Sequence, residues 1–383
     1  MPKNIVFCAD GTWNNPNEDE NQDQSADPTN VYKLFLNLDG ALAPDSLRAA
    51  DEQEKSLVVA GVPQQVAKYI HGVGDSRNPI IRIMGGAFGA GIIARVVRGY
   101  TFISRNYAPG DNIVIVGFSR GAYTARALAG LIASQGLLAA HITQDKELAY
   151  RRGAEAWYRY RKAGAGKTFS LARLAEVVAD LPAFLSCETL HAQDLLPVDR
   201  IGAVAVWDTV GAMGFPAYAE RDRRIDAFQF ADLSLSPKVG RGFHALALDE
   251  RRCDFTPTLW EAAPHVTQML FPGAHADVGG GYSMKDQESG LSDIGLQWMS
   301  EQLATVGVRF SPAPVFPLQP DAAAVAHNPT AYAPWNIPGV PVNARSFPKG
   351  IPHHPSVAQR MAASHVKSDP RTPPAPYNPV NLP

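Results

Sequence analysis

Short apolar runs, most of them rich in β-branched residues, recur along the chain between polar loops and helical patterns. The runs cover residues 4–8, 57–60, 65–70, 113–116, 201–207, 243–248 and 266–271. Strands that are buried on both faces have this composition. Helical patterns cover residues 29–35, 85–107, 122–133 and 291–306. This alternation predicts an α/β fold, in which a mainly parallel central sheet is covered by helices on both faces.

Three segments depart from this alternation. Residues 144–167 are basic and rich in Tyr and Arg, which predicts a helical excursion from the sheet that is either a lid or a solvated helix. Residues 171–185, rich in Leu and Ala, are a second lid candidate or else a packed helix. From Pro312 onward prolines recur every few residues, which predicts irregular chain wrapped on the surface. We therefore expect a catalytic domain at 1–310 with a helical insertion at 140–195, and an irregular extension at 311–383.

Composition excludes several classes of protein. The chain has 383 residues, of which 45% are apolar and 19% charged, as in ordinary globular proteins. A formal net charge of −2 gives no attraction to nucleic acid. The three cysteines form no C-x-x-C pair, so neither a disulfide framework nor a zinc site is indicated. With no signal peptide and no apolar run as long as a membrane span, the chain is expected to be cytoplasmic unless a dedicated machine exports it.

The most informative stretch is NIVIVGFSRGAYTARALAGLIA, residues 112–133. A predicted buried strand runs into Gly117-Phe118-Ser119-Arg120-Gly121, and an Ala- and Leu-rich helix follows. G-x-S-x-G between a strand and a helix is typical of a nucleophile elbow, a sharp turn that lifts the serine hydroxyl above the sheet. Ser119 is therefore the candidate nucleophile.

A serine nucleophile needs a base, usually a histidine that a carboxylate orients. His275 follows the last strong strand and is the candidate base, with His353 or His354 in reserve. For the acid, Asp208 ends the strand after the nucleophile and is our first choice. Asp249 ends the next strand, and Asp277 lies two residues from His275. The sequence leaves these two alternatives open.

The tetrahedral intermediate needs backbone N–H donors for its negative charge. One is expected at Arg120, directly after the nucleophile, and the other from Gly11 or Thr12 in the loop after the first strand. Asp10 either braces that loop or binds a divalent ion together with Asp277. Nothing in the spacing demands a metal, and no cofactor is predicted.

Five stretches, FCADGTWN, GFSRGAYTAR, VWDTVGA, ALALDERR and FPGAHADVGGGY, together resemble a bacterial and fungal family of α/β-hydrolases. That family includes the lipase and phospholipase effectors of type VI secretion systems. The matches run from Phe7 to Tyr282. The resemblance implies an α/β-hydrolase fold, ester hydrolysis, Ser119 as nucleophile and His275 as base. For an exported effector it also implies an adaptor or immunity protein as a partner.

The leading hypothesis is a serine hydrolase that cleaves carboxylic esters, with a phospholipid or another acyl lipid as substrate and peripheral contact with a membrane. A second hypothesis is a soluble esterase or thioesterase that acts on a small acyl substrate. The third is a non-catalytic binding protein that has kept the fold. The third would be favoured by loss of Ser119 or His275, and both are present.

Overall fold

The computed structural model of the chain describes residues 2–11, 27–47, 52–72, 87–164, 190–210, 233–333 and 335–382. The strands are β1 (Asn4–Ala9), β2 (Ala41–Leu42), β3 (Glu52–Val59), β4 (Val62–Ile70), β5 (Asn112–Phe118), β6 (Leu137–Leu138), β7 (Leu195–Leu196), β8 (Ile201–Trp207), β9 (Val239–Ala247) and β10 (Val266–Phe271). The helices are α1 (Asn30–Asn37), α2 (Ala87–Asn106), α3 (Arg120–Gln135), α4 (Ala140–Thr143), α5 (Lys146–Gly164), α6 (His275–Gly279), α7 (Gly290–Thr305) and α8 (Pro355–Ala362).

Eight strands form the central sheet in the order β10-β9-β8-β5-β1-β4-β3-β2. The neighbours from β10 to β4 all pair in parallel, and only β3 and β2 are antiparallel. The expected mainly parallel sheet is therefore confirmed. The strand expected at 57–60 is in fact the end of β3, which begins at Glu52 and turns into β4 at Ala60 and Gly61. The polar residues of its first half concealed it, because β3 lies near the edge of the sheet and is only partly buried.

The sheet is buried on both faces, and alternate residues of each strand face opposite cores. In β1 and β5, Phe7 and Ile115 belong to the core that helices α2, α3 and α5 cover. Val6 and Val116 belong to the opposite core, which α1 and α7 cover. Continuous burial explains why these strands are uniformly apolar in the sequence.

The basic helix after the nucleophile helix packs on the first of these cores. Trp157 is almost fully buried, Ala149 and Ala156 belong to the same core, and the helix contacts α2 and α3. The interpretation of residues 144–167 as a solvated helix is therefore wrong for the described part, because its small and aromatic residues form one apolar stripe. The second lid candidate, residues 171–185, lies outside the described residues. The short pair β6 and β7 flanks the insertion and was not predicted.

The C-terminal extension is irregular apart from α8 and a short turn, but it does not simply lie on the surface. The backbone of Leu270, on the edge strand β10, accepts the N–H of His354 and donates to Pro352 O, at 2.8 and 2.9 Å. Phe347 and Val357 form a third apolar cluster with residues of β9 and β10. Covering an edge strand in this way removes a row of unpaired backbone groups.

Candidate active site

The carboxyl ends of the parallel strands meet at one edge of the sheet, where loops carry most ligands and catalytic groups in α/β proteins. Ser119 follows β5 at this edge. Its backbone has φ 56° and ψ −122°, a strained conformation for a residue with a side chain. Helix α3 begins at the next residue, so the partial positive charge at its amino end lies beneath the serine. The local geometry is that of a nucleophile elbow.

Both glycines of the motif are required by close backbone approach. A Cβ atom added at Gly117 would lie 2.4 Å from the carbonyl oxygen of Gly121. A Cβ atom at Gly121 would lie 2.1 Å from the carbonyl oxygen of Ala9, at the end of β1. The turn therefore folds tightly on itself and packs against the neighbouring strand, which only glycine allows.

Asp208 follows β8, next to β5 in the sheet, and is completely buried. Its φ of 37° is unusual for a non-glycine residue, and its backbone N–H donates to Ala245 O at 2.7 Å. One carboxylate oxygen, Oδ1, accepts the N–H of Ala247 at 3.0 Å. The other, Oδ2, lies 2.5 Å from Nδ1 of His275. The strained turn thus aims the carboxylate at the candidate base.

His275 begins α6 and is held from several sides. Its backbone N–H donates to Oε2 of Glu250 at 3.2 Å. Its ring lies against Phe118, the residue before the nucleophile, with centroids 4.6 Å apart, and edge-on to Phe255 at 4.9 Å. Burial lowers the pKa of His275 below its usual value, although the hydrogen bond and charge of Asp208 oppose the shift. The imidazole is therefore neutral at pH 7, as a base must be.

The structure brings Ser119, Asp208 and His275 to the same edge and joins two of them by a hydrogen bond. The Ser119 hydroxyl makes no capping hydrogen bond at the start of α3. The link between base and nucleophile is the packing of the imidazole on Phe118.

The two alternative acids have other partners. Oδ2 of Asp249 accepts the N–H of Gly273 at 2.7 Å and the hydroxyl of Tyr377 at 2.8 Å. Oδ1 of Asp277 lies 2.6 Å from Nδ1 of His327, a residue of the C-terminal extension. Each carboxylate braces a loop near the candidate base, and neither is hydrogen-bonded to the His275 ring.

The reserve histidines lie elsewhere. The ring of His354 stacks on Phe271 with centroids 4.8 Å apart, and its Nδ1 lies 2.9 Å from the hydroxyl of Ser356. His353 is exposed beside the edge strand β10, where its backbone forms an isolated parallel β-bridge with Leu270. These two residues help the extension to cover β10.

The expected oxyanion donors are only partly described. Arg120 is the first residue of α3, so its amide lies at the helix end directly after Ser119. The N–H of Gly11 donates to Oδ1 of Asp10 at 2.7 Å. Thr12 lies outside the described residues. Burial raises the pKa of Asp10 to about 6, and Oδ2 of this residue accepts the hydroxyls of Thr29 and Tyr69, each at 2.7 Å.

Asp10 and Asp277, the pair considered for a divalent ion, are engaged by different protein groups, Asp10 by hydroxyls and Asp277 by His327. Among the residues that the structure describes, no group of three or more His, Cys, Asp or Glu side chains has the geometry to hold a metal ion. Within the same residues, no helix is both long and apolar enough to cross a membrane.

Two residues of the site escaped the sequence analysis. Arg345, from the C-terminal extension, forms a two-pronged ion pair with Asp208, and Glu250 contacts the backbone of His275. Glu250 was visible only as part of the LDERR stretch, where an ion pair is the ordinary interpretation. Arg345 lies 137 residues from its partner in a proline-rich segment, and no local pattern could have identified it.

A mainly parallel sheet with a serine on a strained strand-to-helix turn, and an Asp–His pair at the same edge, is the arrangement of the α/β-hydrolase fold. Comparison with known families agrees. Residues 3–302 match the family described as "T6SS, Phospholipase effector Tle1-like, catalytic domain", and the chain belongs to this family. The expected fold and the expected family are thereby confirmed.

The individual proteins that this chain resembles share little sequence identity with it. The protein YEL023C of Saccharomyces cerevisiae is 25% identical over 282 residues, which are 70% of this chain and 34% of the yeast protein. A solved structure from Pseudomonas aeruginosa is similar over 81% of this chain and 46% of its own, with 17% identity and a TM-score of 0.41. A Tle1 effector, solved bound to the VgrG spike of a type VI secretion system, is similar over 74% and 52%, with 19% identity and a TM-score of 0.37. The chain spans about half or less of each of these relatives.

Proposed function

We propose that the chain is a serine hydrolase that cleaves carboxylic ester bonds of phospholipids through Ser119, His275 and Asp208. The observation that carries the proposal is the 2.5 Å contact between His275 Nδ1 and Asp208 Oδ2, at the sheet edge where Ser119 occupies its strained turn. The family description supports the substrate class.

In the proposed reaction, the hydroxyl oxygen of Ser119 attacks the ester carbonyl carbon while Nε2 of His275 takes the hydroxyl proton. Asp208 accepts a hydrogen bond from Nδ1 and stabilises the imidazolium that forms. The N–H of Arg120 is one donor to the oxyanion, and the second is expected from the loop after β1, in which the N–H of Gly11 is already donated to Asp10. His275 returns the proton to the leaving alcohol, and water then hydrolyses the acyl-enzyme by the same steps. The chemistry needs no metal or cofactor.

The decisive experiment is labelling with a fluorophosphonate, which reacts with activated serines. We expect the wild-type chain to be labelled and Ser119→Ala not to be. His275→Ala should lose nearly all labelling, and Asp208→Asn should react about 10⁴-fold more slowly, as expected when the base loses its orienting carboxylate. Asp249→Asn is the matched control, because this carboxylate lies just after the adjacent strand β9 but binds Tyr377. A wild-type chain that is folded and unlabelled would contradict the proposal.

Substrate class is tested next with a panel of phospholipid vesicles and short-chain esters. We expect higher activity on phospholipid above the concentration at which an interface forms. Equal activity on soluble short acyl esters, with no gain at an interface, would favour the small-acyl esterase or thioesterase. A chain without any activity or labelling would favour the non-catalytic binding protein.

We further propose delivery by a type VI secretion system, with an adaptor or spike protein as a partner and an immunity protein in the producing cell. The family description supports this proposal. The test is growth of bacteria that express the chain in the periplasm or in the cytoplasm, with Ser119→Ala as control. Toxicity confined to periplasmic wild type is expected, and equal growth of all four cultures would contradict it.

A further inference from the structure

The C-terminal extension reaches the candidate acid through one side chain. Arg345 lies beyond residues 3–302, the part that matches the family, and in a segment without helix or strand. The backbone just before Arg345 pairs with the loop after β9. Val342 forms an antiparallel β-bridge with Arg252, and the N–H of Asn343 donates to Arg251 O at 3.0 Å. These backbone contacts fix the point from which the Arg345 side chain enters the protein.

The guanidinium group of Arg345 is almost fully engaged. Nη1 donates to Asp208 Oδ1 at 2.7 Å and to Ala247 O at 2.8 Å. Nη2 donates to Asp208 Oδ2 at 2.9 Å and to the carbonyl oxygen of Phe255. The side chain is 4% exposed and the carboxylate 0% exposed. A planar fork that binds both oxygens of a carboxylate fixes its plane as well as its position, which a lysine cannot do.

We propose that Arg345 is a positioning residue for the hydrolytic reaction and that it holds the Asp208 carboxylate in the plane and charge state that His275 requires. The inference rests on the proposed function, because it assigns Asp208 as the acid. It makes the extension, which lies outside the matched catalytic domain, a part of the active site.

The electrostatics support this role. Burial alone would raise the pKa of Asp208, but the charge of Arg345 and the contacts with His275 hold it well below its usual range. Without the arginine, a buried carboxylate would keep only the Ala247 N–H and His275 as partners. It would then rotate more freely and gain a proton more readily, and a protonated acid no longer stabilises the imidazolium.

A second contact points the same way. The carbonyl oxygen of Phe255 accepts from Arg345, and the Phe255 ring packs edge-on against His275. Arg345 therefore supports the imidazole on two sides, through the carboxylate and through the aromatic ring. A purely structural ion pair is the alternative, and buried ion pairs are by themselves weak indicators of stability. The two roles differ in what they do to turnover.

The test compares Arg345→Met and Arg345→Lys with wild type on a soluble acyl ester across pH, with the folded fraction measured by circular dichroism. We expect Arg345→Met to lower kcat about 100-fold or more with KM within about 3-fold, since the acid orients the base and does not bind substrate. The acid limb of kcat/KM should move to higher pH. Arg345→Lys should recover only part of kcat, because it keeps the charge without the fork.

Arg360→Met is the matched control. Arg360 is also a buried arginine of the extension, but its guanidinium donates to the carbonyl oxygens of Ala322, Ala324 and Lys367. We expect the folded control to keep the wild-type kcat and pH profile. If Arg345→Met does not fold, Arg345→Ala assayed with added guanidinium ion replaces it, and recovery of kcat by the ion is the expected result.

Arg345 variants that fold and keep the wild-type kcat and pH profile would overturn the inference, as would an Arg345→Ala chain that guanidinium does not rescue. Failure of the proposed function is recognised separately. In that case wild type and Ser119→Ala would be equally inactive and unlabelled, and the inference would fall with it.

Discussion

Ser119 and Asp208 share a backbone feature, because both have positive φ although both carry side chains. Such strain costs of order 1–3 kcal/mol per residue and persists only where the surrounding structure imposes it. Here each strained residue directly follows a buried parallel strand, and both point towards the same edge. The strain is stored where two of the three proposed catalytic groups must project from the sheet.

Gly121 offers a direct test of the turn that presents the nucleophile. We expect Gly121→Ala to lower the free energy of unfolding by about 2 kcal/mol or more, because its new Cβ would meet the backbone of Ala9 rather than a flexible side chain. Fluorophosphonate labelling should fall as well. Urea unfolding measures the first effect. Gly153→Ala is the control, since its Cβ would meet side-chain atoms of Val97 at 3.1 Å in a helix. Equal loss of stability in both variants would contradict the prediction.

The ionisation of His275 predicts the pH dependence of hydrolysis. Its pKa is lowered by burial, so the neutral base persists to more acidic pH than in a free histidine. We expect kcat/KM to be level near pH 7 and to fall on acidification with a midpoint below about 6.5, the usual histidine value. The measurement is kcat/KM on a soluble ester between pH 4 and 8. A midpoint above the usual histidine value would contradict the prediction, because it would show that Asp208 raises the pKa of His275 by more than burial lowers it.

How much of the site a sequence can predict depends on the distance over which its contacts form. The elbow lies within five consecutive residues, and strand, turn and helix are all local, so Ser119 was identifiable. Asp208 and Asp249 both satisfy the chain order and Asp277 lies close to His275 in sequence, and only the three-dimensional contact shows that Asp208 is the one bonded to His275. Arg345 depends on irregular chain folding back on the domain, for which there is no periodic signal.

At the level of elements, the loops after neighbouring strands hold one another. Glu250, in the loop after β9, is completely buried, and the nearby Arg252 lowers its pKa to about 2 against the effect of burial. Its two oxygens accept from Arg252 at 2.9 and 2.7 Å, and one also accepts from the backbone of His275. Arg252 in turn lies over the Phe255 ring, 3.5 Å from its centroid. The loop after β9 therefore fixes the start of α6.

Replacement of Glu250 should reveal this support. We expect Glu250→Gln to lower the free energy of unfolding by roughly 3 kcal/mol, because the change leaves the Arg252 charge without its buried partner. The ester hydrolysis rate of the folded variant should fall by about 10-fold as His275 loses an anchor. Chemical unfolding and steady-state kinetics check the two effects. Arg251→Gln, at an exposed neighbour, is the control and should change neither. An unchanged rate in folded Glu250→Gln would remove Glu250 from the site.

The charge states of buried histidines determine how the whole molecule responds to acid. Burial lowers the pKa of His244 to about 3, so the folded state keeps this residue neutral while the unfolded chain protonates near pH 6.5. Its contribution to stability is therefore present at neutral pH and is lost as pH falls. The pKa of His327 is shifted in the opposite direction. Asp277 and Glu288 raise its pKa despite burial, and its contribution is lost as pH rises.

We expect the free energy of unfolding to fall between pH 7 and pH 5, with a loss on the order of 2 kcal/mol from His244. Urea unfolding at the two pH values measures the loss. His244→Gln should show a smaller loss on acidification, because the buried group no longer titrates. His327→Gln should show a larger loss of stability on acidification, because it removes a histidine whose protonation stabilises the folded state. If all three chains lost stability equally, titration of other groups would have to account for the effect.

The extension and the sheet form one folding unit, because the extension covers the edge strand β10, supplies Arg345 to Asp208 and joins the third apolar cluster. A chain that ends at residue 310 would expose the backbone of β10 and leave Asp208 buried without its arginine. We expect that chain to aggregate and to resist fluorophosphonate labelling, as measured by size-exclusion chromatography and gel fluorescence.

A chain that ends at residue 363 keeps Arg345 and the cover of β10 but loses the Tyr377 contact with Asp249. It should be less stable than wild type and still be labelled. A soluble chain of 310 residues that is labelled like wild type would show that the extension is dispensable.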